Sequence, residues 1–237
     1  MTPLGFHLGD RGMPFGFKDK GWTNPYITDG LVQQYDGIWN AGGGIHADTA
    51  TVWKDIVGTN DATLTQYATI APDCLQIQGR SGYAASFRGD ITESYTIEVV
   101  VLCNIPVDNA PRLLAESPYP SLYFGSYAQP NAPLAFYGQG KDASFAGEFV
   151  DRTVRRHYAV TYANNVVTGY VSGAPRSPGL STSTKPSSVA TATLGNRLSG
   201  QRGFNGEYCA FRRYNRALTE EEVYANYLID ADRFGAA

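Results

Sequence analysis

The side chains that could do chemistry are few and scattered. A retaining glycosidase needs two carboxyl groups about 5–5.5 Å apart, which on a strand means acidic residues two positions apart on one face. Glu98 has Thr96 and Val100 as same-face neighbours, and Glu93 has Ile91 and Tyr95, so neither has such a partner. Glu98 therefore reads as a rim or solvent-facing group. Gly79-Arg-Ser-Gly82 misses the spacing of a nucleophile elbow, because Tyr83 stands where its second glycine belongs. His7, His46 and His157 have no Cys or acidic residue beside them in a catalytic order, and His157 reads as structural. Gly42 to Gly44 leads to His46 rather than to a helix with a lysine, so no phosphate cradle is expected. The chain is expected not to be an enzyme.

Binding chemistry offers more. Stacking against the C–H patches of a sugar needs an exposed aromatic face with polar side chains around it. Tyr123, Tyr127, Tyr137 and Trp39 are the aromatic candidates for glycan binding, with Arg156 as hydrogen-bond donor. Oxygen ligands for Ca²⁺ could converge from Asp36, Asp48, Asp55 and Asp61, which lie in or near Gly/Asn-rich loops. Their spacing fits no 12-residue calcium loop, and the competing reading is that they cap turns. No other cofactor is expected.

Totals narrow the classes further. Hydrophobic residues make up 43% of the 237 and charged ones 17%, enough for a large core. A net charge of −3 speaks against a nucleic-acid binder. No apolar run approaches the roughly 20 residues of a membrane span, and the N-terminus lacks the blocks of a secretory signal. Cys74, Cys103 and Cys209, odd in number and far apart, read as buried free thiols.

These side chains need elements to position them. Ser94–Cys103 alternates as a strand, with Tyr95, Ile97, Val99, Val101 and Cys103 on one face. Arg155–Tyr162 and Val166–Val171 predict a hairpin through Asn164-Asn165. Phe204–Tyr214 alternates too, placing Tyr208, Ala210, Arg212 and Tyr214 on one side and Cys209, Phe211 and Arg213 on the other. At Thr219 the period changes: Thr219 and Glu222 form a capping box. Val223, Tyr224, Tyr227, Leu228 and Ala231 then give a helix an apolar stripe. Residues 1–29, rich in Gly and aromatics, predict an extended arm whose Phe6, Phe15, Phe17, Trp22 and Tyr26 dock on this protein's own sandwich, a second copy or another protein. Residues 30–237 form the domain.

Phe204-Asn-Gly-Glu207, followed by Tyr214-Asn-Arg-Ala-Leu-Thr219 and Glu222-Val223, resembles the closing signature of laminin-G-like, concanavalin A-like domains. Trp53-Lys-Asp-Ile-Val-Gly-Thr-Asn-Asp-Ala-Thr-Leu64, His157-Tyr-Ala-Val-Thr-Tyr162 and Leu194-Gly195 extend the likeness over about residues 30–230. It implies an all-β fold, an antiparallel sandwich (jelly roll) with one short C-terminal amphipathic helix, in which Trp53 is structural. It also implies a possible edge Ca²⁺.

The layout of arm plus single sandwich is similar to domains encoded by bacteriophages and prophages. That implies a virion surface protein of capsid, neck or tail. It would be made in the host cytoplasm and would associate with other virion proteins or itself, with glycans as a further ligand. The alternatives are a stand-alone carbohydrate-binding module and, third, a glycosidase using Glu98 or Glu148.

Overall fold

The computed structural model describes residues 23–39, 51–78, 82–89, 93–106, 112–117, 121–124, 133–138, 141–149, 153–176, 180–181, 191–197, 199 and 202–237. The chain opens with β1 (Leu31–Asp36), β2 (Val52–Trp53), β3 (Ala62–Leu64), β4 (Ala68–Ile70), β5 (Leu75–Gln78) and β6 (Ala85–Phe87). The long β7 (Tyr95–Pro106) follows, then β8 (Arg112–Ser117), β9 (Ser121–Phe124), β10 (Pro133–Gly138) and β11 (Lys141–Phe149). β12 (Arg156–Ala163) and β13 (Val166–Val171) make the expected hairpin, with Asn164 and Asn165 at φ 51° and 64°. Short β14 (Ala174–Pro175), β15 (Leu180–Ser181) and β16 (Thr191–Leu194) lead to β17 (Phe204–Tyr214) and helix α1 (Glu220–Phe234).

These strands form two antiparallel sheets. The first runs β14-β13-β12-β7-β17-β5-β4, with β1 also on β17 and β15 on β13. The second runs β11-β10-β9-β8-β16-β6-β3-β2. Between them Tyr95, Ile97, Val99, Val101 and Cys103 of β7 meet Leu113, Leu114, Leu122, Leu134 and Phe136 in one core. Trp53 is buried there, stacked on Tyr35 at 5.4 Å, with its Nε1 donating to the Asp36 carbonyl at 3.0 Å. The three cysteines are buried and free.

β17 is paired along its length with β7, and its register slips twice, at Asn205/Gly206 and at Tyr208/Ala210. Gly206 has φ 152°, and a Cβ there would lie 1.9 Å from the Leu102 carbonyl oxygen, so only glycine fits the first slip. The second slip corrects the simple alternation. An extra residue in the strand turns Tyr208 and Phe211 both into the core, and Cys209, Ala210 and Arg212 away from it.

α1 begins with the expected capping box: Glu222 N donates to Thr219 Oγ1 at 3.3 Å, and Thr219 N to Glu222 Oε2 at 2.8 Å. Of the expected stripe Val223 is buried and Tyr227 and Ala231 are half-buried, but the rest of the buried face is different. Val223, Asn226, Asp230 and Phe234 face the sheet, while Tyr224 and Leu228 are 49% and 51% exposed. The reason lies in the outer face of the first sheet, which presents Glu98, Arg212 and Tyr214 and so receives polar helix residues. Among the described residues no helix is long and apolar enough to cross a membrane.

Candidate functional site

Titratable groups converge most densely beneath α1. Glu98 of β7 and Arg212 of β17 face each other across the first sheet. Arg212 Nε donates to Glu98 Oε2 at 2.7 Å, and its other nitrogens fork onto the Asp230 carboxylate of α1, one at 3.0 Å. Asn226 Nδ2 donates to Glu98 Oε2 at 3.0 Å and to Tyr214 Oη at 2.9 Å. His157 Nε2 lies 3.6 Å from Glu98 and 3.8 Å from Asp230, an electrostatic neighbour rather than a hydrogen-bond donor. Every one of these side chains is fully buried.

Glu98 is thus a correction: it is no rim group. Burial by itself would raise its pKa, but Arg212 and His157 outweigh that and hold it below the usual carboxylate range. Burial likewise opposes the charge on Arg212, and Asp230 and Glu98 outweigh it, so its pKa goes up. Glu98 is flanked by apolar residues on both faces of its strand, a signal that it must be buried and paired.

Tyr26, expected in a docking arm, is built into the same network. It is buried, donates to Asp230 Oδ1 at 2.7 Å and lies with its ring 4.0 Å from the Arg212 guanidinium. Arg233 donates to Tyr26 Oη at 2.8 Å and to Asp36 at 2.5 and 3.0 Å. Asn226 also accepts from Ile27 N. So the stretch before β1 docks on this protein's own sandwich. Phe6, Phe15, Phe17 and Trp22 lie outside the described residues.

The same contacts dispose of the calcium candidates. Asp36 is buried and taken by Arg233 and by the amides of Ile38 and Trp39. Asp55 accepts from the amides of Gln34, Val57, Gly58 and Asn60, and Asp61 from Lys54 and the Asp55 amide. These carboxylates cap turns and do not fit a Ca²⁺ site. Asp48 lies outside the described residues, and among those described no cluster of His, Cys, Asp and Glu could hold a metal.

Nor do the glycan candidates make one site. Trp39 is only 6% exposed and cannot serve as a stacking platform. Arg156 starts β12 in the first sheet, opposite Val101. Positions 123 and 137 lie on β9 and β10 of the second sheet, where Ala135 pairs with Tyr123 and Ser121 with Tyr137. Tyr127 lies outside the described residues.

An open cleft that sequence reading missed lies elsewhere. Its volume is about 460 Å³, and Val32, Gln33, Asp55, Thr59, Arg88 and Arg213 line it. Its wall is the turn after β2, folded around the Asp55 carboxylate; a Cβ on Gly58 would come within 2.6 Å of Asp55 Oδ2. Asn60 clamps the next wall, donating to the Arg88 carbonyl at 2.5 Å and accepting from Arg88 N at 3.0 Å. Tyr35 Oη donates to the Asn60 carbonyl and accepts from Gln33 Nε2. Burial, helped by Asp55, pushes the Tyr35 pKa up, so the phenol keeps its proton. The floor residue Arg213 is buried, its guanidinium 5.7 and 5.9 Å from the rings of Phe87 and Phe211. The cleft draws on β1, the 55–60 turn, the end of β6 and β17, too dispersed in sequence to show a spacing.

Residues 78–224, more than half of the chain, match a laminin-G-like family model described as the concanavalin A-like lectin/glucanases superfamily. Among solved structures the chain is similar to a Trypanosoma rangeli sialidase, with 18% identity and a TM-score of 0.63 over 86% of this chain. It spans 33% of that sialidase's length. It is also similar to the binding domain of Paraclostridial Mosquitocidal Protein 1, with 16% identity and a TM-score of 0.55 over 84% of this chain and 52% of that one. Comparison with curated protein sequences finds no match.

Proposed function

The chain belongs to the concanavalin A-like lectin/glucanases superfamily, and we propose a non-enzymatic, glycan-recognising module displayed on a bacteriophage particle and attached through its N-terminal arm. One observation carries the choice of binding over hydrolysis. The carboxylates that come together under α1, Glu98 and Asp230, are fully buried and bound by one arginine, so no sugar reaches them. A retaining glycosidase instead needs its two carboxyls open to the scissile bond.

Three buried free thiols suit folding in a reducing compartment, such as a host cytoplasm.

The test uses the full chain and a version starting at Thr23, both placed on a glycan array and studied by light scattering at several concentrations. Glycan binding by both, with self-association or capture of phage particles by the full chain alone, is expected. Release of reducing sugar from any polysaccharide overturns the non-enzymatic reading. Identical assembly of the two versions, with no particle binding, overturns the attachment.

A further inference from the structure

We propose that Cys74 and Cys209 are a cross-strand thiol pair that closes to a disulfide when the protein meets a small disulfide oxidant. The pairing of β17 with β5 sets Asn205 against Gln78, Gly206 against Ile77, Glu207 against Gln76 and Tyr208 against Leu75. One step further along both strands stand Cys209 and Cys74. Residues directly opposite on antiparallel strands have Cα atoms about 4.5 or 5.5 Å apart, inside the roughly 4.4–6.8 Å that a disulfide spans. The side chains agree with this register. The extra residue in β17 turns Cys209 away from the main core, and the two cysteines share a small outer cluster with Val100, Ala210, Phe234 and Ala236. Their thiols are hydrogen-bonded to each other. Gly37 fits against both backbones: its N donates to the Cys209 carbonyl at 2.7 Å, and a Cβ on it would lie 2.8 Å from Cys74 Cα. Cys103 faces the main core instead.

The chemistry is thiol–disulfide exchange with oxidised glutathione or a disulfide like it. One cysteine, as thiolate, attacks a glutathione sulfur and expels one glutathione thiolate. The partner cysteine then loses its proton, attacks the mixed disulfide and expels the second. Two protein thiols are oxidised to one S–S bond, the glutathione disulfide is reduced to two thiols, and the two protons pass to them. In the closed fold this exchange is held back. Both cysteines are buried, and the hydrogen bond with Cys74 together with burial pushes the Cys209 thiol pKa up, so little thiolate forms. The cover is residues 234–237. Phe234 and Ala236 pack on the pair, while Ala237 N donates to the Arg155 carbonyl at 2.9 Å and its carbonyl accepts from Ser172 Oγ. Lifting these few contacts, or folding with the oxidant present, opens the way to the thiols. The closed bond would join β5 to β17 across more than half of the chain, and a long loop of that kind takes most freedom from the unfolded state.

The experiment exposes the full chain to oxidised glutathione in two ways, as the folded protein and during refolding from urea. Thiols are counted by mass after alkylation in denaturant. The three free thiols are expected to fall to one, with the peptide carrying Cys74 joined to the one carrying Cys209. The melting temperature is expected to rise by about 5–10 °C and to return with dithiothreitol. Cys103→Ala closes the same bond, whereas Cys74→Ala and Cys209→Ala form no bond within the chain and melt alike with and without the oxidant. Three thiols retained after refolding in the oxidant, or a bond that uses Cys103, overturns the pair. A Cys74–Cys209 bond that lowers the melting temperature shows that the fold must distort to close it and overturns the cross-strand geometry. Folded protein that reacts as fast as the refolding chain overturns the role of residues 234–237 as a cover.

Discussion

Arg212 and Arg213 are adjacent on β17, both almost without solvent exposure, and they lead opposite lives. Arg212 points under α1 and is held by Glu98 and Asp230 at hydrogen-bond distance, with the Tyr26 ring over it. Arg213 points the other way, toward Phe87, Phe211 and an open cleft. One turn of the strand pleat therefore separates a closed ionic network from a site with room for a ligand. The first region holds the fold together; the second lines an open cleft.

The largest expected effect comes from breaking the closed region. Arg212→Met strands two carboxylates away from water and should cost about 3–5 kcal/mol in urea unfolding. Arg213→Met, placing a thioether among aromatic rings, is expected to cost clearly less. Equal losses would erase the distinction between the two arginines. Next comes Tyr26→Ala, which removes a buried ring and its hydrogen bonds to Asp230 and from Arg233; about 3 kcal/mol is expected. A loss below about 1 kcal/mol would mean that this stretch is not part of the folded domain.

Acid should act on the same region. The folded-state pKa of Glu98 is lowered from its ordinary 4.5. The stability it contributes is therefore fully present above that value and is lost as pH falls below it toward the depressed folded value. Thermal melts from pH 7 to 3 should show the drop, and Glu98→Gln should flatten it while being less stable at pH 7. An unchanged acid limb in Glu98→Gln would assign the loss to other carboxylates, such as Asp73, whose pKa Arg155 lowers.

The contrast between the two arginines also marks what could be read in advance. The strands, the Asn164-Asn165 hairpin and the capping box at Thr219 are local patterns, written within a few residues, and they appear where the spacing puts them. The bulge after Tyr208 is set by pairing with β7, a strand a hundred residues earlier, so strict alternation misplaces Tyr208. The helix stripe holds at Val223 but misses Asn226 and Asp230 for a related reason: their burial depends on Glu98 and Arg212 below them, not on hydropathy. Aspartates in loops could be ligands or caps by sequence, and only the amides around Asp55 decide for caps. The cleft joins residues from 32 to 213 and has no linear signature.

The smallest expected effect tests whether distance or burial governs these ion pairs. Lys54–Asp61 and Arg233–Asp36 both close to 2.5 Å. The first pair is 45% and 35% exposed, the second 5% and 0%. Water screens the first pair and solvates either partner when the other is removed, so Lys54→Ala should change stability by no more than about 0.5 kcal/mol. Arg233→Ala takes from the buried Asp36 carboxylate its cation and leaves it the amides of Ile38 and Trp39, and about 3 kcal/mol or more should follow. Urea curves of both variants in low and in 1 M salt separate the cases, because salt weakens only the exposed pair. If the two substitutions cost the same, the closed region owes its stability to apolar contacts around the charges, and the division drawn from Arg212 and Arg213 would lose its energetic basis.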